Sequence, residues 1–215
     1  MRKTFIFLLP LLLTAAGAAQ AGDVFLVTMN TSSISGDAGS LDFSLSSGAG
    51  SDQSLSATVS AFTGGSYGGT QATDGDVSGG PVTSGSPVTI GPVPDASGLN
   101  DDFETFNYGT TLSFLVSLSG PGLTAPDGNA TSPYEFDFFT YSDGAGTVPV
   151  LTSDPNGISG LVDVSPEGMI TVTAVSPNVT ITAPAPEPGT VWLLASALGL
   201  LLIARSVRQH LIEQA

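Results

Sequence analysis

The sequence has no cysteine, and its few cationic groups all sit at its ends. Arg2, Lys3, Arg205 and Arg208 are the only Lys and Arg residues, and the single histidine is His210. Between Gly22 and Thr190 there is no Lys, Arg, His or Cys. Each absence excludes a chemistry. Without cysteine there are no disulfides. Without an imidazole, neither a Ser-His-Asp nor a Cys-His nucleophile can be assembled. Zinc loses its usual ligands, and Schiff-base lysines and arginine clamps on phosphate are excluded. No salt bridge between side chains can form inside the segment.

What is present in that segment is acid. Eighteen of the 19 carboxylates fall between Gly22 and Thr190, leaving only Glu213 outside. A domain of this charge repels nucleic-acid phosphates and anionic lipid headgroups, and it attracts divalent cations or basic partners. No nucleic-acid partner is expected.

The two ends read as address labels. Arg2 and Lys3 form a positive start, Phe5–Leu13 is apolar, and Ala19-Gln20-Ala21 is a small-x-small cleavage site. This predicts a signal peptide over residues 1–21 and a mature start at Gly22. Residues 184–215 carry three parts in fixed order. Prolines 184, 186 and 188 hold an extended backbone that cannot join a helix or sheet interior. An uncharged apolar run, Val191–Ala204, follows, and Arg205 and Arg208 close it. The run is 14 residues, about 21 Å as a helix against a hydrocarbon core of about 30 Å. Extending it to about 190–207, with the Arg205 stem snorkelling, predicts one marginal transmembrane helix.

Pro186-Glu187-Pro188, a single apolar helix and a short arginine-containing tail together resemble the PEP-CTERM sorting signal. In Gram-negative bacteria that signal is recognised by a membrane protease/transpeptidase, exosortase. The resemblance implies an exported, membrane-anchored precursor processed near the PEP motif. It also implies a product at the cell surface or in extracellular polysaccharide matrix. The segment between the labels is similar to a family of exported PEP-CTERM proteins of unassigned activity. The stretches that carry this are Asn30–Gly36, Leu41-Asp42-Phe43, Gly75–Gly79, Leu112–Gly122 and Leu151–Pro155.

Residues 22–183 read as short strands joined by glycine and proline turns. Val24–Met29, Leu41–Leu45, Ser54–Phe62, Phe103–Tyr108, Leu112–Leu118, Tyr134–Tyr141, Val148–Leu151, Leu161–Val164, Ile170–Val175 and Val179–Ile181 are the candidates. Period-two alternation places Leu41, Phe43 and Leu45 inward, with Leu55, Ala57, Val59 and Ala61, and Phe136 with Phe138. Glu135, Asp137 and Phe139 fall on the opposite face. Residues 63–100 divide between mobile loop and short edge strands such as Val88–Ile90. The fold expected is all-β, an antiparallel β-sandwich of jelly-roll type, with a closed barrel as runner-up.

Carboxylate chemistry is what remains possible. A glycosidase needs two acids about 5–10 Å apart, and Asp101, Asp102, Glu104, Glu135 and Asp137 are candidates. A solvated strand face is the competing reading, and no enzyme is expected. Calcium, which takes carboxylate and carbonyl oxygens from flexible turns, is a speculative ligand of Asp74, Asp76, Asp101 and Asp102. The Asp127-Gly128 and Asp143-Gly144 turns offer similar chemistry, but Asp-Gly is also an ordinary turn former. The expected role is structural or adhesive and non-catalytic. The alternative is a calcium-dependent carbohydrate-binding module.

Overall fold

A computed structural model describes residues 24–51, 53–94 and 99–183. The signal-peptide, sorting-motif and transmembrane expectations (Ala19, Ala21, Pro186, Glu187, Pro188, Arg205 and Arg208 among them) lie outside the described residues. Among the described residues no helix is long and apolar enough to cross a membrane.

Nearly all of the structure is antiparallel β-sheet. Its strands are β1 (Val24–Asn30), β2 (Ala38–Ser46), β3 (Leu55–Asp74), β4 (Val77–Gly79), β5 (Val88–Val93), β6 (Leu99–Ser119), β7 (Tyr134–Tyr141), β8 (Ile158–Val164), β9 (Ile170–Ala174) and β10 (Val179–Thr182). Helix is confined to one turn, α1 (Pro121–Thr124), and two 3-10 turns at Ser32–Ile34 and Val82–Ser84. The strand order is β4-β5-β3-β6-β2-β7-β8-β9, with β1 pairing β6 and β10. This path does not close on itself.

The two longest strands organise the rest. β6 runs 21 residues and β3 runs 20, paired from Ser56–Ser119 to Asp74–Asp101. On its other edge β6 meets two different partners. Its first half, Leu99–Asn107, pairs with β2, and its second half, Thr111–Ser117, pairs with β1. Two leaves therefore diverge from one strand: β2-β7-β8-β9 from the first half, β1-β10 from the second. Rings of β6 meet rings of the first leaf. Phe114 of the second half packs edge-on against Phe43 of β2 and Phe138 of β7, with centroids 5.3 and 5.4 Å apart. Phe62 joins the group, stacked on Phe114 and edge-on to Phe106. These rings and the alternating aliphatics of β1, β2, β3, β5 and β6 form one buried core. Ring pairs of this geometry add about 0.5–1.5 kcal/mol beyond the area they bury.

Several boundaries differ from the sequence reading. Residues 63–74 continue β3, and Phe103–Tyr108 and Leu112–Leu118 are parts of a single strand. The reason lies in the glycines. At Gly64 a Cβ would fall 1.6 Å from the Thr111 carbonyl oxygen, and at Gly65 it would fall 2.1 Å from the Phe106 ring. Glycine here permits the close backbone approach of a bulged ladder, and the register shifts between Thr63 and Gly65. Ala61 also departs from expectation. It adopts φ of 53° and is exposed, and Phe62 takes its place in the core. Val148–Leu151 is not a strand; only a single bridge joins Tyr141 to Pro149.

Candidate functional site

The strand pleat sorts the acidic residues of β6 onto two faces. Asn100, Asp102 and Glu104 point inward with Phe106 and Tyr108, and all five are buried. Asp101 and Phe103 point the other way and are half-exposed. The candidate calcium set is thereby divided. Asp74 and Asp101 are cross-strand partners on the outer side. Asp102 lies inside. Asp76, beyond the Gly75 turn, gives its backbone N–H to the Asn100 Oδ1 at 2.8 Å. The glycosidase candidates divide in the same way, with Asp102 and Glu104 inside and Asp101, Glu135 and Asp137 outside.

The inner group is well provided with donors. The Glu104 carboxylate accepts the Val82 N–H at 2.5 Å on Oε1 and the Thr83 N–H at 2.9 Å on Oε2. The Thr83 hydroxyl donates to the same Oε2. Thus the first amides of the 3-10 turn, which have no partner within the turn, close on a buried anion. Asp102 accepts Gln71 Nε2 at 2.6 Å on Oδ1. Burial first, and the neighbouring Glu104 second, push Asp102 up to about 8. At neutral pH Asp102 is therefore largely protonated, and it supplies a proton to the Asp102–Glu104 contact. This arrangement ties the Pro81–Gly85 loop to the centre of the sheet.

The outer face is different. Register aligns Asp101, Ser44 and Asp137 across β6, β2 and β7. One row along, Phe103, Asp42 and Phe139 are aligned. On β7 and β8, Glu135 stands directly opposite Asp163. The β7–β8 connection folds back on this face: a Cβ at Gly146 would lie 2.8 Å from the Phe103 ring, and Tyr141 donates to the Asn156 carbonyl at 2.9 Å. Phe139 stacks parallel to Tyr141 at 6.3 Å. Carboxylates are half-enclosed as a result. Burial, then the Asp101 charge, pushes Asp42 up to about 7. Burial, then Glu135, Asp163 and Asp154, pushes Asp137 up to about 8. Asp101 is raised by burial and by Asp74, and Asp163 by burial and by Glu135.

Asp42 and Asp163 were absent from the candidates read in the sequence. The alternation in Leu41–Leu45 already placed Asp42 opposite the apolar side, whereas in Leu161–Val164 an apolar Leu161 shares the face of Asp163 and no alternation marks it. Only strand register brings them beside Asp101 and Glu135. The Asp-Gly turns behave as ordinary turns: Asp127 accepts the Asn129 N–H at 3.0 Å, and Asp143 accepts Thr147 N–H and hydroxyl at 2.9 and 2.5 Å. As placed, no three acidic side chains among the described residues already converge in metal-ligating geometry.

No protein-family model matches the chain, and neither a curated protein nor a solved structure shows significant similarity to it.

Proposed function

We propose that the chain is an exported protein with a jelly-roll-like β-sandwich domain. In this reading it is sorted through its C-terminal segment and held at the cell surface or in extracellular polysaccharide matrix. Its role there is structural or adhesive, not catalytic. The observation that carries this reading is the order Pro186-Glu187-Pro188, apolar run, Arg205 and Arg208. Its partner in processing is an exosortase-type enzyme. Support for the sandwich comes from Phe114 of β6, in its β1-paired half, packing against Phe43 and Phe138 of the β2-β7 leaf. The strand pairing agrees with a tethered cargo. β1 and β10 are neighbours with Leu26 opposite Thr182, so the chain leaves the domain beside the point where it enters. Fold alone assigns no function, and the test is the mature molecule itself. Intact mass of the native extracellular product is expected to lack residues 1–21 and the segment after the PEP motif. A cytosolic product that keeps Met1 and Ala215 overturns the proposal.

A second reading, a calcium-dependent carbohydrate-binding module, is favoured by the outer face, where carboxylates lie among Phe103, Phe139 and Tyr141. Glycan-array binding that disappears on chelation would select it. Firm retention in the matrix fraction without glycan binding would select the structural role. Hydrolysis of a glycan, abolished by Glu135→Gln, would overturn both.

A further inference from the structure

We propose that Glu135, Asp137 and Asp163 form a divalent-cation site on the outer face of β7 and β8, and that calcium is the ion it takes. The site is separate from the Asp74, Asp76, Asp101 and Asp102 group, and it does not depend on how the chain is sorted.

The sheet imposes the cluster. Glu135 and Asp137 are two residues apart on β7 and so share a face. Asp163 stands across from Glu135, with Asp137 on the diagonal. Like charges directly opposite on a sheet are destabilising. The cost is greater here because the groups are not fully solvated. Asp137 is only 7% exposed. Its Oδ1 is buried without a hydrogen-bond partner, and so is the Asp163 Oδ1. Asp154, on the β7–β8 connection, is a fourth acidic group near Asp137. Its own Oδ1 is occupied by the Asn156 N–H at 2.8 Å. No Lys, Arg or His exists between Gly22 and Thr190 to neutralise any of them.

Buried carboxylate oxygens with no donor and no counter-charge are costly unless something cationic reaches them. Hard oxygen donors of unequal reach, one Glu and two Asp on adjacent strands, suit an ion that tolerates irregular coordination. Calcium takes six to eight oxygens at about 2.3–2.6 Å in flexible geometry, whereas magnesium demands a near-ideal octahedron. Glu135, half-exposed and the longest of the three, closes on the ion by rotating about its side-chain bonds. Water fills the remaining positions.

The test uses the full chain, purified in detergent and stripped with EDTA, then titrated with calcium chloride. Calorimetry is expected to give one site with a Kd of about 0.1–1 mM, the range of extracellular calcium modules. The melting temperature rises by several degrees at about 10 mM calcium, as binding to the folded state requires. Magnesium at the same concentration gives less than half that rise. Asp163→Asn melts higher than wild type in EDTA, because the charge opposite Glu135 is gone, while Asp137→Asn, whose carboxyl is already largely protonated at neutral pH, melts about as wild type does. Each loses at least about tenfold in calcium affinity, while Asp74→Asn keeps it. Three results overturn the proposal: no heat and no melting shift for wild type at about 10 mM calcium, undiminished affinity in both Asn variants, or lower melting of both variants in EDTA. The last would mean that these carboxylates hold the fold together unaided.

Discussion

Asp101 and Asp102 are adjacent in sequence and occupy opposite electrostatic worlds. On the inner side, Glu104 is met by two amides and a hydroxyl, and Asp102 by an amide and a shared proton. On the outer side, Asp42, Asp137 and Asp163 each keep a buried oxygen without a partner, as the Asp102 Oδ2 does inside, and Asp137 leans on Glu135 as Asp102 does on Glu104. Residue type does not distinguish the two sets, and neither does local spacing. The difference is one of degree: the loop at Pro81–Gly85 and the Gln71 side chain bring four donors to Glu104 and Asp102, whereas on the outside the Phe43 N–H serves Asp42. The inner carboxylates act as structural anchors. The outer ones form a surface held in electrostatic tension, which protons or cations relieve.

The largest test of this contrast removes the inner anchor. Glu104→Ala strands the Val82 and Thr83 amides and the Thr83 hydroxyl in the interior. It is expected to cost about 3 kcal/mol, since hydrogen bonds to charge are strong and buried donors without partners are penalised. A denaturant melt measures the loss, and faster hydrogen exchange at Val82 and Thr83 localises it. Unchanged stability would dissolve the distinction between the faces.

Next in size is the pH dependence, with calcium absent. Asp42, Asp101, Asp137 and Asp163 outside and Asp102 inside all have folded values raised above the ordinary 3.8. Between that value and about 7–8 the folded state holds more protons than the unfolded one, so stability falls as pH rises through this window. Asp143, lowered by its Thr147 and Val148 donors, works weakly in the other direction. The protein is therefore expected to melt highest in mildly acid buffer and to lose stability steadily up to about pH 8. A melt series from pH 4 to pH 9 that rises with pH would break the comparison.

Single substitutions sharpen it. Asp42→Asn is expected to stabilise by roughly 1 kcal/mol at pH 8, where the wild-type group is largely ionised beside Asp101, and to do nothing at pH 5. The smallest effect is expected for Asp102→Asn at neutral pH. The wild-type carboxyl is already largely protonated, and an amide can donate to Glu104 in its place, so the change should stay within about 1 kcal/mol. If both substitutions behave alike, the faces are electrostatically equivalent.

Much of this architecture was legible before any coordinates. Tyr134–Tyr141 reads as a strand from its alternation, and β7 has those bounds. The inward sets Leu41, Phe43, Leu45 and Leu112, Phe114, Val116, Leu118 are buried as their period requires. Residues 63–74 were misread because glycine-rich sequence resembles loop when no partner strand is in view. The candidate site was legible in part. Alternation put Glu135 and Asp137 on one face, but it grouped Asp101 with Asp102 through mere adjacency, although a strand always separates neighbours.

The sequence by itself determined which segments alternate, which face each side chain takes, and that no cation lies between Gly22 and Thr190. These are local properties, carried by period-two geometry and by composition. Tertiary structure alone decided that β6 is one strand serving two leaves, that Glu104 is an anchored interior anion, and that Asp163 confronts Glu135. Those facts depend on register between strands distant in the chain, where a shift of one residue would turn every side chain to the opposite face.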